Sequence, residues 1–156
     1  MQVKVKAAGK KSRLIRESVY FFAARMMTYE EQKDLDITVL LTNKFPRRQS
    51  ADMEYDDGEV IIRLRPYSNS WLMFRSIAHE MVHVKQFHLG ELDDLDEDVT
   101  LFNGKKYIEE DINYYERPWE IEAMGRERGL TINFLESKGM YTWELMSKKE
   151  RVHLLL

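Results

Sequence analysis

The chain of 156 residues contains no cysteine. This absence excludes disulfide bonds, thiolate catalysis and cysteine-based zinc sites, so a transition metal would have to be held by histidine, aspartate or glutamate. Long apolar runs are also missing. No stretch approaches the roughly 20 residues that cross a bilayer, and the basic N-terminal segment lacks the apolar core of a signal peptide. We therefore expect a cytoplasmic protein with no membrane partner.

The charges of the chain are nearly balanced. The formal net charge is −3, from 24 basic and 27 acidic residues. Such a balance gives no general attraction to nucleic acid or to acidic membranes. Hydrophobic residues make up 44% of the chain and charged residues 33%, as in ordinary globular proteins. The length fits one domain, residues 1–156, with a core of its own.

Periodicity and turn residues predict a single α+β domain. The predicted order is a helix at about 12–29, a strand at 37–42, a loop at 43–58, a strand at 59–65, a helix at about 71–89, an acidic loop at 91–98, a β-hairpin at 99–108, a helix from about 118 and a C-terminal helix at about 142–156. The hairpin prediction depends on the pair Asn103-Gly104, a frequent two-residue turn.

The segment His79-Glu80-Met81-Val82-His83 is an H-E-x-x-H motif inside the helix predicted at 71–89. Histidines four residues apart on a helix differ in direction by about 40°, so both imidazoles project from one face. That geometry lets them hold one Zn²⁺, with Glu80 beside the metal as a proton acceptor. The apolar residues of this helix fall on the opposite arc. Leu72 is the exception, because it projects on the motif side.

A catalytic zinc commonly has three protein ligands, so a third ligand is required. A histidine-based extension of the motif would need glycine at position 86 and histidine at position 89, where the chain has Gln86 and Leu89. His88 points about 140° away from His83 on the same helix, and His153 is distant in sequence. A carboxylate downstream is therefore expected. The candidates lie at the start of the next helix: Glu116, Glu120 and Glu122.

The motif, together with the downstream segment Glu120-Ile121-Glu122-Ala123, resembles the gluzincin zinc metallopeptidases, in which a second helix carries a glutamate ligand in an E-x-x-A motif. The resemblance covers about residues 59–130 and is closest to the minigluzincins and the SprT-like core, including phage and bacterial relatives. It implies a zincin-like fold and nominates Glu120 as the third ligand. Glu122 and Glu116 remain alternatives. Many relatives continue E-x-x-A-D, but this chain has Met124 at the aspartate position.

The resemblance also implies a mechanism, peptide-bond hydrolysis by a zinc-bound water with Glu80 as general base. Tyr114, Tyr115 and Arg117 are the candidates for stabilising the oxyanion. The strand Val60 to Leu64 is expected to bind an extended peptide or protein substrate by edge pairing.

Two other interpretations of the function remain open at this point. One is a non-catalytic zinc protein with the same fold. The other is a DNA-associated SprT-like protease, against which the net charge and the absence of a zinc ribbon argue.

Overall fold

The computed structural model describes residues 1–45, 49–67 and 69–140. In chain order the elements are β1 (Gln2–Lys6), α1 (Ser12–Met26), β2 (Asp36–Leu41), β3 (Ala51–Asp56), β4 (Glu59–Leu64), α2 (Ser70–His88), β5 (Leu92–Asp96), β6 (Val99–Phe102), β7 (Lys105–Ile108) and α3 (Pro118–Ser137). The α+β class is confirmed, with three helices and two small sheets. The helix predicted at 142–156 lies outside the described residues. None of the described helices has the length and apolarity to cross a membrane.

The larger sheet has the strand order β1-β2-β4-β3. The first three of these strands run parallel to one another, and β3 is antiparallel to β4. Alternate residues of β2 and β4, such as Ile37 and Ile62, are fully buried against α1 and α2. The smaller sheet, β5-β6-β7, is antiparallel throughout and lies after α2 in the chain.

Three strands occupy segments that the sequence did not predict as strands. β3 lies in the predicted loop at 43–58, β5 lies in the predicted acidic loop at 91–98, and β1 lies in the basic N-terminal segment. β3 and β5 are mostly polar, so neither has the apolar alternation that marks a half-buried strand. The turn before β4 did carry a local signal. Asp57 and Gly58 both have positive φ, 42° and 89°, as a two-residue hairpin turn requires.

The edge strands of the larger sheet are β1 and β3, and the prediction that Val60 to Leu64 forms an edge is wrong. This segment belongs to β4, which pairs with β2 on one side and with β3 on the other. Its backbone groups are therefore used within the sheet. The free edge that faces α2 and the H-E-x-x-H motif is that of β3.

Helix α2 carries the motif and has well-formed ends. The side chain of Asn69 accepts hydrogen bonds from the backbone N–H groups of Trp71 and Leu72, at 2.8 and 3.4 Å. At the other end Gly90, with φ of 68°, closes the helix as its N–H bonds to the carbonyl of Phe87. The predicted apolar arc of α2 is confirmed as buried.

Helix α3 packs across the other face of α2, so the motif lies between two helices. At its far end, the ring of Phe134 lies 5.0 Å from that of Phe74 and 5.6 Å from that of Phe22. These aromatic contacts join the three helices in one core. The first helix is shorter than predicted. It ends at Met26, and Tyr29, at the end of the range predicted for this helix, is 82% exposed.

Candidate metal centre

Three side chains that can ligate a metal meet where the first turn of α3 crosses α2. His79 Nε2 and His83 Nε2 lie 3.2 Å apart. Glu120 Oε2 lies 3.3 Å from His79 Nε2, and Glu120 Oε1 lies 3.5 Å from His83 Nε2. Pro118 occupies the first turn of α3, where its missing N–H is not needed, and so fixes the point at which this helix begins. His79, His83 and Glu120, the residues predicted from the sequence, are thus brought together.

The two imidazoles have the spacing of ligands on a tetrahedral metal. Zinc with bonds of about 2.0–2.1 Å separates its ligand atoms by about 3.3–3.4 Å, close to the 3.2 Å between the two Nε2 atoms. Glu120 approaches each imidazole with a different oxygen, and one ligand atom from each of the three residues lies within 4.8 Å of the other two. Glu120 Oε2 is buried and has no hydrogen-bond partner within the described residues, because its approach to His79 lacks hydrogen-bond geometry. A buried carboxylate oxygen without a partner is costly. Without metal, the charge of protonated His79, 3.3 Å away, balances that of this carboxylate, and a cation between the three side chains would give the oxygen a direct partner.

The orientation of His79 is set by Glu127. His79 Nδ1 lies 2.8 Å from Glu127 Oε2, so the ring donates its Nδ1 hydrogen to the carboxylate and turns Nε2 toward Glu120. The other oxygen of Glu127 accepts from Arg75. Glu127 is 5% exposed, and its charge is therefore poorly screened by water. Carboxylates that hold a metal-binding imidazole in this way fix its tautomer and raise its basicity.

The orientation of His83 is set by Gln86. His83 Nδ1 lies 2.8 Å from Gln86 Oε1. The amide nitrogen of Gln86 donates to the carbonyl of Trp119 at 3.1 Å and to Glu122 at 3.0 Å. These two acceptors require the nitrogen on their side, so the amide oxygen must face His83. Both imidazoles thus present Nε2 to the same point.

The alternative third ligands lie elsewhere. Glu122 is held by Lys85 at 3.0 Å, by Arg126 at 2.9 Å and by the amide of Gln86. Glu116 is exposed in the 3-10 turn before α3.

The other histidine in the described part of the chain, His88, does not join the cluster. His88 donates from Nε2 to the carbonyl of Glu31 and interacts through Nδ1 with Tyr55. His153 lies outside the described residues.

The protonation states of the metal-free cluster depend on burial and on the close contacts between its histidines and glutamates. Burial acts to lower the pKa of His79, but the carboxylates of Glu120 and Glu127 outweigh it and raise this pKa to about 10. Burial acts to raise the pKa of Glu120, but His79 and His83 outweigh it and hold this pKa far below its ordinary value. In the absence of metal, His79 therefore carries a proton at neutral pH, and Glu120 is ionised.

Glu80 lies beside the cluster and is 8% exposed. Burial raises the pKa of its carboxyl to about 6, against the opposing effect of His83 and His79. Within the described residues this carboxylate makes no hydrogen bond or ion pair. Glu80 is therefore a buried, unpaired proton acceptor whose pKa lies near neutral pH.

Two cavities flank His79 and Glu80, and together they form a groove. The larger cavity, of about 650 Å³, lies toward the start of α2. The smaller cavity, of about 300 Å³, lies on the side of His83 and Glu120. Gln49 and Ala51, at and just before the start of β3, line both cavities, so the free edge of β3 forms one wall of the groove.

Of the three candidates for stabilising an oxyanion, Tyr114 is the best placed. It lines both cavities together with Glu80. Burial and its interaction with Glu120 raise the pKa of the Tyr114 hydroxyl, so this group keeps its hydrogen. Tyr115 is 70% exposed and reaches only the larger cavity. Arg117 donates to the carboxylate and the carbonyl of Glu109 and lines neither cavity.

No family model, curated protein or solved structure matches this chain. The gluzincin resemblance therefore depends on the motif residues and their placement alone.

Glu127 and Gln86 are site residues that the sequence analysis did not assign. Glu127 lies seven residues after Glu120, two helical turns along the same face. Gln86 lies three residues after His83, also on a shared face. The carboxylate that orients His79 comes from one turn further along α3, and Met124 lines the larger cavity.

Proposed function

We propose that the protein is a zinc-dependent metallopeptidase with His79, His83 and Glu120 as metal ligands and Glu80 as general base. The observation that carries this proposal is the buried, unpaired carboxylate of Glu80 beside a three-ligand cluster at the centre of a groove. Two imidazoles and one carboxylate form a ligand set that suits zinc. When bound there, zinc would lower the pKa of water toward about 7 and polarise a carbonyl group.

The residues of the chain supply the proton transfers. Glu80, with a pKa of about 6, accepts a proton from the attacking water and passes it to the leaving amine. The Tyr114 hydroxyl donates a hydrogen bond to the carbonyl oxygen as negative charge develops on it. Glu127 and Gln86 hold the two imidazoles in the tautomer that leaves Nε2 free.

The groove supplies the place for the substrate. The edge of β3 has backbone N–H and C=O groups that are not used by β4, and these can pair with an extended peptide. A peptide lying along this edge would pass over Glu80 and extend into both cavities. Its scissile bond would lie between β3 and the cluster.

The number of ligands supports an enzyme over a structural zinc protein. Structural zinc sites commonly have four protein ligands, whereas catalytic sites keep one position open. Within the part of the chain that the structure describes, the cluster offers three ligands, from His79, His83 and Glu120. A structural site would also have no use for Glu80 as an unpaired carboxylate.

The test is the substitution Glu80→Gln, which keeps the shape of the side chain and removes the proton acceptor. We expect peptide cleavage to fall about 10²–10⁴-fold, with unchanged zinc content. The assay is hydrolysis of casein and of a mixed peptide library, with metal measured in the same samples. Glu136→Gln is the matched control, because Glu136 is exposed on α3 far from the groove. Equal activity in the Glu80 and Glu136 variants would remove Glu80 from the mechanism.

A further inference from the structure

The smaller cavity is lined by acidic side chains from three parts of the chain. Besides Glu80 and Glu120, its wall contains Asp52 of β3, Asp94 of β5 and Glu109 of the 3-10 turn after β7. No lysine or arginine is among the described residues that line it. The segment 91–111, which contains the smaller sheet and supplies Asp94 and Glu109 to this cavity, has nine acidic residues and two lysines.

Much of this negative charge is not neutralised by neighbouring residues. Glu109 pairs with Arg117, which balances its charge. Asp52 shares the guanidinium of Arg63 with a second carboxylate, that of Glu54.

Asp94 makes no ion pair with any described residue and has only the Thr100 hydroxyl, 3.4 Å away, as a hydrogen-bond partner. A divalent ion would remove only part of this excess, because Glu80, Glu120, Asp94 and the shared Asp52 together carry more than two negative charges.

A second observation points to a cation in the same cavity. Residue Glu80 is more than nine-tenths buried, has no partner within the described residues, and lines the smaller cavity as well as the larger one. The cavity also has an apolar floor formed by Phe87, Leu92 and Trp119. A lysine or arginine side chain matches both features, since its alkyl stem packs on apolar surface while its charged end meets carboxylates.

The larger cavity differs from the smaller one because exposed apolar side chains line it. Leu72, an apolar residue on the motif side of α2, is 37% exposed and lines it. Met124, Tyr67 and Tyr115 add further apolar surface. The only lysine or arginine among its described lining residues is Arg75, which pairs with Glu127. An exposed apolar surface in a concave site fits an apolar side chain.

We propose that the groove selects peptides with a lysine or arginine in the smaller cavity and a large apolar residue in the larger cavity, on opposite sides of the bond cleaved. The proposal rests on the proposed peptidase function and names its substrate class. It assigns Asp94 and Asp52 as the residues that select the basic side chain, and Leu72 and Met124 as those that select the apolar one.

The first test measures binding without turnover, by fluorescence anisotropy of labelled peptides on the zinc-loaded Glu80→Gln protein. The peptides carry leucine on one side of a central bond and lysine, glutamate or serine on the other, in both orders. The lysine peptide should bind roughly tenfold more tightly than the glutamate peptide, and the difference should shrink with salt. Equal affinities for the lysine and glutamate peptides would overturn the proposal.

Pairs of matched variants test whether the assigned residues select the side chains of the peptide. Asp94→Lys and Asp93→Lys in the same background change the net charge equally, but Asp93 neighbours Asp94 on β5 and does not line the cavity. We expect lysine-peptide affinity to fall roughly tenfold in the Asp94 variant and to change little in the Asp93 variant. Equal losses would show a general charge effect and overturn the assignment. Met124→Gln against Ile121→Gln, an exposed control on the same helix, tests the apolar cavity in the same way.

Cleavage by the zinc-loaded wild-type protein separates this proposal from the proposed function. Cleavage of the library without preference for lysine or arginine beside the scissile bond would overturn the specificity and leave the peptidase standing. Selective binding of the lysine peptide with no hydrolysis would overturn the peptidase and leave the binding preference standing. Cleavage between an apolar and a basic residue would support both.

Discussion

In the proposed metal centre, a proton and a metal ion would compete for the same nitrogen of His79. The Nδ1 hydrogen is donated to Glu127, and Nε2 faces Glu120. Because Glu120 and Glu127 raise the pKa of His79 to about 10 against the effect of burial, the metal-free site is already charge-balanced by a proton. Metal must displace that proton in order to bind.

Zinc affinity should therefore depend on pH. Below pH 10 the metal-free His79 is protonated, so zinc binding must release this proton into solution. The release becomes less favourable as the pH falls, because the proton concentration in solution rises. We expect the apparent zinc affinity to rise about tenfold per pH unit between about pH 6.5 and 9. Competition titration with a chelator of known pH dependence measures this slope. An affinity that stays constant across this range would contradict the charge state assigned to His79.

Glu127 should act as a positioning residue for the metal. Glu127→Ala removes the acceptor of the His79 Nδ1 hydrogen, whereas Glu127→Gln keeps an acceptor and removes the charge. We expect zinc affinity to fall about 100-fold in the first variant and about tenfold in the second. Chelator competition at one pH provides the measurement. Affinity equal to wild type in Glu127→Ala would show that the hydrogen bond does not contribute to metal binding.

At the scale of the element, two helices with different starts and stops determine the geometry of the site. Helix α2 begins at the Asn69 cap and ends at Gly90, which places the two histidines on the face that meets α3. Helix α3 begins at Pro118 and brings Glu120 into its first turn. The positions of the ligands thus depend on local signals at helix ends as well as on packing.

Two Gly→Ala substitutions, one just after the end of α2 and one inside α3, should change the free energy of unfolding in opposite directions. Gly90 has φ of 68°, so Gly90→Ala should lower the free energy of unfolding by about 1 kcal/mol. Gly125 lies within α3, and a Cβ added there would meet open space. Gly125→Ala should therefore raise the free energy of unfolding by about 0.5–1 kcal/mol. Urea denaturation of both variants beside wild type measures the changes. Changes of the same sign in both would contradict the assigned backbone conformations.

Much of α2 and its motif could be predicted from the sequence, because cap, periodicity and stop are local signals. Glu120 was nominated by the resemblance of Glu120-Ile121-Glu122-Ala123 to the E-x-x-A motif, which is also a local pattern. Glu127 could not be assigned, because its role depends on how α3 crosses α2, a contact between residues 48 positions apart. The edge strand β3 was missed for the same reason. Its polar residues form a strand only because β4 pairs with it.

At the scale of the whole molecule, each layer contributes a separate part of the site. The core of the larger sheet and helices α1 to α3 holds α2 and α3 together, and this contact assembles the three ligands. The edge of β3 forms one wall of the groove. Asp94 of the smaller sheet gives one end of the groove an acidic wall. Zinc binding would join α2 to α3 directly, so it should also stabilise the folded chain against unfolding.

The most direct test of the account is the zinc content of three purified proteins, the wild type, Glu120→Gln and Glu122→Gln. The two variants lose the same charge two residues apart on α3, but only Glu120 faces His79 and His83. After dialysis, elemental analysis should find about one zinc per chain in the wild type and the Glu122 variant, as for a three-ligand site. It should find little in the Glu120 variant. Undiminished zinc in Glu120→Gln would contradict the metal centre as assigned.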